Sequence, residues 1–265
     1  MTETINLEHI RNHWTTQAQK YGQSHCASWS DQCIMEMEIN EISKYLENDD
    51  HVLDVGCANG YSTVRYGVSN TINIKGIDYI SEMIAQARKN IKSLKLKVNG
   101  KVDFAVDNVI SLKEMNESYD KVIATRVIIN LGEWNLQIKG LRECSRILRK
   151  GGLLLLSEAT KQGWQKLNQF RREWNLPDIS IPSFNKYIDQ DQLIESVSDI
   201  LDIIEIKNFT STYYIGTRVL KPLLINALGQ NIDVADPDME WNRWFSQLPS
   251  WGDYGTQKLF VFRKR

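Results

Sequence analysis

From residue 51 onward, short apolar runs alternate with stretches in which apolar residues recur every three or four positions. Val52, Leu53 and Val55 form the first run, and residues 73–78 and 101–106 the second and third. Between the second and third, Ile80, Met83, Ile84, Ala87 and Ile91 share one helical face. Residues 119–124 predict a fourth strand, and Trp134, Ile138, Leu141 and Leu148 a further helix. Arg146, Arg149 and Lys150 sit near that helix's C-terminus, where cations are favoured, and Gly151-Gly152 is its expected stop. The four leucines at 153–156 then read as a strand buried on both faces, as in the middle of a parallel sheet. Strand and helix in regular alternation predict an open α/β sheet.

The flanks follow the helical period. Met35, Ile39, Ile42 and Leu46 predict a helix with Ser30 or Asp31 as its N-cap. A polar and aromatic loop at residues 21–31 joins it to an earlier helix. The expected organisation is a helical lid at residues 1–50 and a core at 51–265. Insertions at about 160–200 and 211–254 would bring further pocket residues to that core.

The first strand carries the chemistry. It runs into Asp54-Val-Gly56-Cys-Ala58-Asn-Gly60, a small-residue turn behind which a helix can start. Such a turn lets a ligand approach the backbone and aims free helical N–H groups at it. The spacing is not the Gly-x-Gly-x-x-Gly of a dinucleotide site, whose last glycine position is Tyr61 here. An acid inside the strand end would repel a pyrophosphate and suit a cationic amino group. The turn therefore reads as a site for S-adenosylmethionine. Asp78, about 20 residues on, ends the second strand where a carboxylate accepts ribose hydroxyls. Asp107 follows the third strand. Each acid taken singly also reads as a helix N-cap.

With these residues the chain resembles the class I S-adenosylmethionine-dependent methyltransferases, most specifically over residues 51–160. Ala58 stands where that family's first motif has its middle glycine. The resemblance implies a Rossmann-like, mostly parallel seven-stranded sheet, its last strand antiparallel, drawn from residues 201–209 and 256–262. It implies that Asp107 meets the adenine amino group, that the Asn108 backbone N–H meets the ring, and that Val109 is a further cofactor contact. Trp29, Gly56, Cys57, Gly60, Tyr79, Met83 and Arg126 complete the implied cofactor contacts, with S-adenosylhomocysteine as product. Arg126-Val-Ile-Ile-Asn-Leu131, Gly151-Gly152 and Asn185-Lys-Tyr187 are similar to small-molecule methyltransferases of bacterial capsule clusters, including those associated with methyl phosphoramidate. That narrower likeness implies O- or N-methylation of a phosphorylated, phosphoramidate or sugar-nucleotide intermediate.

The acceptor site is expected on the flanks. Asn130, Asn185, Tyr187, Tyr213 and Tyr214 are candidate contacts, and Arg171 and Arg172, with Arg218 and Lys221, could grip a phosphate or carboxylate. The chain has four histidines and none after His51. His25 in the lid loop is the expected base, with Tyr21, Glu158 or no base at all as alternatives.

Composition changes this picture little. At 42% apolar and 25% charged residues, 265 positions can hold one large domain. A net charge of −1 gives no electrostatic case for nucleic acid, and the basic runs at 89–101 and 263–265 read as solvated faces. Residues 125–130 lack the Pro-Pro-aromatic motif of nucleic-acid amino-methyltransferases. No segment reads as a signal peptide or a membrane span, so a cytoplasmic monomer or homodimer is expected. Cys26, Cys33, Cys57 and Cys144 have no metal-ligand spacing, and His9 and His13 lack a third ligand, so no metal is expected. The rival readings are an RNA or protein methyltransferase, a catalytically silent adenosyl-binding module, and a nucleotide-dependent oxidoreductase.

Overall fold

A computed structural model describes residues 7–93, 98–229 and 233–265. The stretch of the basic run at 94–97 lies outside them. Seven strands form one sheet: β1 (His51–Val55), β2 (Asn73–Asp78), β3 (Lys101–Val106), β4 (Tyr119–Thr125), β5 (Leu148–Ala159), β6 (Leu201–Lys207) and β7 (Gln257–Lys264). Their order is β3-β2-β1-β4-β5-β7-β6. Only β7 runs against its neighbours, pairing antiparallel with β5 and β6. This is the open α/β sheet that the alternating pattern predicts, in the Rossmann-like seven-stranded form that the resemblance implies.

Ten helices flank the sheet among the described residues. They are α1 (Leu7–Tyr21), α2 (Gln32–Ser43), α3 (Tyr61–Ser69), α4 (Ser81–Ser93), α5 (Trp134–Ile147), α6 (Lys161–Glu173), α7 (Gln190–Val197), α8 (Ser211–Ile215), α9 (Lys221–Ala227) and α10 (Glu240–Gln247). None is long and apolar enough to cross a membrane.

Central strands are apolar because both their faces are covered. Leu53 and Val55 join Val122, Ala124, Leu154, Leu156 and Phe260 on one side. On the other, Val52 packs with Ile123, Leu155, Val261 and the α2 residues Ile39 and Ile42. Burying a side chain of this size stabilises by about 1.5–3 kcal/mol, so these layers hold the sheet in place. The helix α2 starts at Asp31, whose carboxylate accepts the Ile34 N–H at 3.3 Å, as an N-cap should. It belongs to the wall of the core, whereas α1 and residues 21–31 border the cavity described below. The expected lid therefore divides in two.

One boundary differs from the expected one. Helix α5 ends at Ile147, and Gly151-Gly152 lies inside β5. Leu148 is fully buried beside Leu141, Cys144 and Ile147, so the chain turns extended there to enter the sheet. The glycines serve a bulge, where the β4–β5 register shifts between Tyr119 and Lys121. A Cβ on Gly152 would lie 2.8 Å from the Asp120 carbonyl oxygen.

The chain leaves β1 toward β2 and β3, then returns to β4 on the other side. A sheet that reverses in this way leaves a crevice at the carboxyl ends of its strands, which is where ligands bind.

Candidate active site

The turn after β1 is tied to the end of β2. The N–H groups of Gly56 and Cys57 both donate to the Ile77 carbonyl, at 2.8 and 2.9 Å. Gly56 has φ +72°, and a Cβ there would lie 2.6 Å from Val127. Ala58 takes φ +47°, a left-handed conformation that costs a non-glycine residue roughly 1–3 kcal/mol. Its N–H donates to Asp78 Oδ2 at 3.0 Å, which holds it there. Ile80 N–H donates to the other oxygen, Oδ1, at 2.9 Å. Asp78 thus fixes the turn and still has lone pairs for hydroxyl donors.

Gly60 does not line the cavity, contrary to the expected cofactor contact. It begins α3 at φ +75°, and a Cβ there would lie 2.7 Å from the Phe104 ring and 2.9 Å from Ala87. Its role is close helix packing, which the spacing argument gives to position 61.

One cavity of about 530 Å³ opens at the switch point. Asp54, Asp78 and Asp107 line it together with Gly56, Cys57, Ala58, Tyr79 and Met83. The same wall includes Asn108, Val109, Trp29 and Arg126. Asp54 accepts the Thr63 hydroxyl at 2.5 Å. Asp107 accepts the backbone N–H groups of Asn108 and Lys113, at 2.9 and 3.0 Å. Burial pushes the Asp54 carboxyl up to about 7 and that of Asp78 up to about 6. A small-residue cradle beside three acids fits an adenosyl ligand with hydroxyl, amino and ammonium donors better than it fits a pyrophosphate.

Arg126 sits beyond β4 at φ +52°. Its guanidinium pairs with Glu38 and lies 4.8 Å from the centre of the Trp29 ring. Glu38 is 1% exposed, and it also accepts the Ser157 hydroxyl at 2.5 Å and Gln257 Nε2 at 3.1 Å. Glu158, weighed above as a base, is off the wall; it accepts the N–H groups of Val127 and Ile128 at 2.9 and 2.7 Å. Burial raises its carboxyl to about 8.

Helix α1 covers the cavity, packing Trp14 and Tyr21 with Ala58, Tyr79 and Met83 at the turn and reaching Phe184 and Asn130 beyond it. Leu7, His13, Trp14, Gln17 and Tyr21 recur at helical spacing and face the cavity. The His13 ring stacks on Phe184 with centroids 4.3 Å apart and planes at 21°. Trp14 meets Phe184 edge-on at 5.7 Å and donates from Nε1 to Asn130 Oδ1 at 3.3 Å. Asn130 Nδ2 donates to the Arg126 carbonyl at 2.6 Å, so α1 is latched to the end of β4. Ile129, Leu131, Leu136, Asn185, Tyr187 and Tyr214 also line the cavity.

Several expected acceptor residues are elsewhere. His25 is off the wall, its Nδ1 bonded to the Trp29 carbonyl at 3.0 Å. Tyr213 is buried and donates to Asp31 Oδ1 at 2.7 Å, while Arg218 pairs with Asp31 Oδ2 at 3.1 Å. Arg171 donates to the carbonyls of Pro177 and Arg218, and Arg172 pairs with Asp178. Lys221 is buried against the Asp236 carbonyl and Asn242. The expected arginine grip is not formed, because each cation already has a partner that fixes the segments after β5 and β6.

A family model for a methyltransferase domain matches residues 46–208, more than half of the chain. The chain belongs to the methyltransferase domain family. It is 28% identical over 114 residues to 27-O-demethylrifamycin SV methyltransferase of Amycolatopsis mediterranei, covering 43% of this chain but only 40% of that enzyme. It is 28% identical over 182 residues to the ubiquinone/menaquinone biosynthesis C-methyltransferase of Campylobacter jejuni, covering 63% and 72%. Among solved structures, magnesium protoporphyrin IX methyltransferase from Synechocystis, with bound S-adenosylhomocysteine, superposes with a TM-score of 0.59. That match covers 96% of this chain and 94% of the other, at 12% identity, and so bears on fold alone.

The raised acids have a consequence for pH. The unfolded chain releases the Asp54 and Asp78 protons near 3.8, and the folded protein keeps them to about 7 and 6. The folded state therefore binds more protons across that window, and this contribution to stability falls as pH rises through it. Each pH unit of displacement is worth about 1.4 kcal/mol. Denaturant melts of ligand-free protein between pH 5 and 7.5 should show the fall, and Asp54→Asn should flatten it. An unchanged slope in that variant would mean Asp54 is ionised throughout.

Proposed function

We propose that the protein is an S-adenosylmethionine-dependent methyltransferase acting on an oxygen or nitrogen of a small, largely apolar acceptor. The observation that carries this reading is a cavity with two unlike parts to its wall. Three acidic strand ends and a small-residue turn form one, and the cluster of His13, Trp14 and Phe184, tied to Asn130, forms the other.

In this reading Asp78 takes the ribose hydroxyls, Asp107 with Asn108 and Val109 the adenine, and Asp54 the methionine ammonium. Gly56, Cys57 and Ala58 border the ligand; Tyr79 and Met83 flank the adenosine, and Trp29 and Arg126 close the methionine end. The bound cofactor supplies a methyl group on a positively charged sulfur. The chain's own work is to hold acceptor and methyl in line and to exclude water, and such alignment is the larger part of the catalysis available here. Trp14, Phe184 and Ile129 offer an acceptor flat, poorly hydrated surfaces.

A phosphorylated or phosphoramidate acceptor from capsule synthesis would need cations. Arg126 is the one arginine on the wall among the described residues, and Glu38 already neutralises it. The geometry therefore favours an uncharged acceptor. The names of the Amycolatopsis and Campylobacter relatives also point to small organic compounds, which supports the same class.

Turnover tests this reading. Purified protein with S-adenosylmethionine is offered phenols and quinols, phosphorylated sugars, and RNA, and both S-adenosylhomocysteine and the methylated product are read by mass spectrometry. Methylation of the phenol and quinol group is expected. Methylation confined to phosphorylated sugars or RNA would overturn the acceptor class, and binding without any turnover would leave a silent adenosyl-binding module.

A further inference from the structure

Resting on the methyltransferase reading above, we propose that His13 takes the proton from the acceptor, and that this acceptor is an aromatic or enolic hydroxyl compound that becomes O-methylated.

The proton needs a group on the part of the wall that meets the acceptor. The carboxylates on the wall, Asp54, Asp78 and Asp107, stand at the strand ends and already accept hydrogen bonds. Glu38 and Glu158 do not reach the wall. Tyr21 reaches the wall at the turn, beside Ala58, Tyr79 and Met83. Burial raises the phenols of Tyr187 and Tyr214, so they keep their protons at neutral pH. His13 remains, and it is the one histidine on the wall among the described residues.

Its setting suits the task. The ring lies flat on Phe184, which fixes its plane, and no hydrogen bond occupies either ring nitrogen among the described residues. The next residue, Trp14, is tied through Asn130 to Arg126, so the helix carrying His13 is located relative to β4. Burial, and then the charge of His9 one turn earlier on α1, hold the imidazole toward its neutral, proton-accepting form. Trp14 and Phe184, which pack against the ring, are uncharged. Asn185, next to Phe184, has a buried Oδ1 with no hydrogen-bond partner and lines the same cavity. It can accept a second hydroxyl of the acceptor, in the way a carbonyl accepts any O–H.

The step balances without a further reagent. A lone pair of the hydroxyl oxygen forms the new O–C bond to the methyl carbon. The C–S bond breaks, and its electron pair returns to sulfur, which changes from sulfonium to thioether. The hydroxyl proton moves to His13 and from there to solvent.

Two catechols of different acidity test the assignment, 4-methylcatechol and the more acidic 4-nitrocatechol, with His13→Gln and His13→Phe as variants. His13→Phe retains a ring against Phe184, so it separates stacking from proton transfer. With 4-methylcatechol, kcat is expected to fall about 10²-fold or more in both variants, as for loss of a general base. The rise of kcat with pH should disappear too. With 4-nitrocatechol, ionised before it binds, the loss should stay below about tenfold. S-adenosylhomocysteine affinity, measured by calorimetry, should not change.

Equal losses with both catechols and an unaltered pH profile would make His13 a packing residue. Parental rates in both variants would remove it from the reaction. Methylation of neither catechol by protein that binds S-adenosylhomocysteine would overturn the acceptor class. Parental protein that binds no adenosyl ligand would instead remove the methyltransferase reading itself.

Discussion

Replacing Asp78 with alanine is expected to weaken S-adenosylhomocysteine binding about a hundredfold, close to 3 kcal/mol, while the protein stays folded. Two effects add. The carboxylate proposed to hold the ribose is lost, and hydrogen bonds to a charged group are worth roughly 1.5–3 kcal/mol each. The turn also loses its tie, because Asp78 accepts from both Ala58 and Ile80. Ala58 at φ +47° then has less to hold it in a costly conformation. The Ala58 N–H borders the cavity, whereas Ile80 is 1% exposed and packs with Ala18, Ala27 and Met83, so the variant's fold is checked alongside its affinity. Calorimetry on the variant, with circular dichroism as the folding control, reads the effect. Parental affinity in the folded variant would remove Asp78 from the ribose role.

The largest stability effect is expected at Glu38. Glu38→Ala should cost about 3–5 kcal/mol, because removing one partner of a buried ion pair leaves the other charge uncompensated. The Arg126 side chain is 17% exposed and that of Glu38 1%, so water reaches little of the guanidinium left behind. The Ser157 hydroxyl and the Gln257 amide lose their acceptor as well. A double variant, Glu38→Leu with Arg126→Met, should recover much of the stability, as apolar replacements of buried ion pairs often do. Urea denaturation of the three proteins distinguishes these outcomes. A single variant as stable as the parent would show that solvent compensates Arg126.

The sheet and the turn with its three acids are legible because their signals are local. Strand runs, helical stripes and an acid at three successive strand ends can each be read within a few residues, and β1 to β4 lie where the pattern puts them. The rest of the cavity wall is less legible because its contacts cross long stretches of chain. Nothing near position 13 announces Phe184, and nothing near Arg171 announces that the Pro177 and Arg218 carbonyls take its donors. A basic residue in sequence says nothing about whether its charge is already paired. The glycines at 151 and 152 misled for a related reason: a tertiary contact at Leu148 ends the helix before they are reached. One further signal lies in the sequence of α2. Glu38 lies on the same helical face as Met35 and Ile42, and an acid within a buried stripe calls for a partner such as Arg126.

The most direct test of the central claim is calorimetry of the purified protein with S-adenosylmethionine, S-adenosylhomocysteine and NAD in parallel. Micromolar binding of both adenosyl ligands, about −8 kcal/mol, with no heat from NAD, is the expected result. NAD binding, or well-folded protein that ignores the adenosyl ligands, would contradict the assignment of the three acidic strand ends to S-adenosylmethionine.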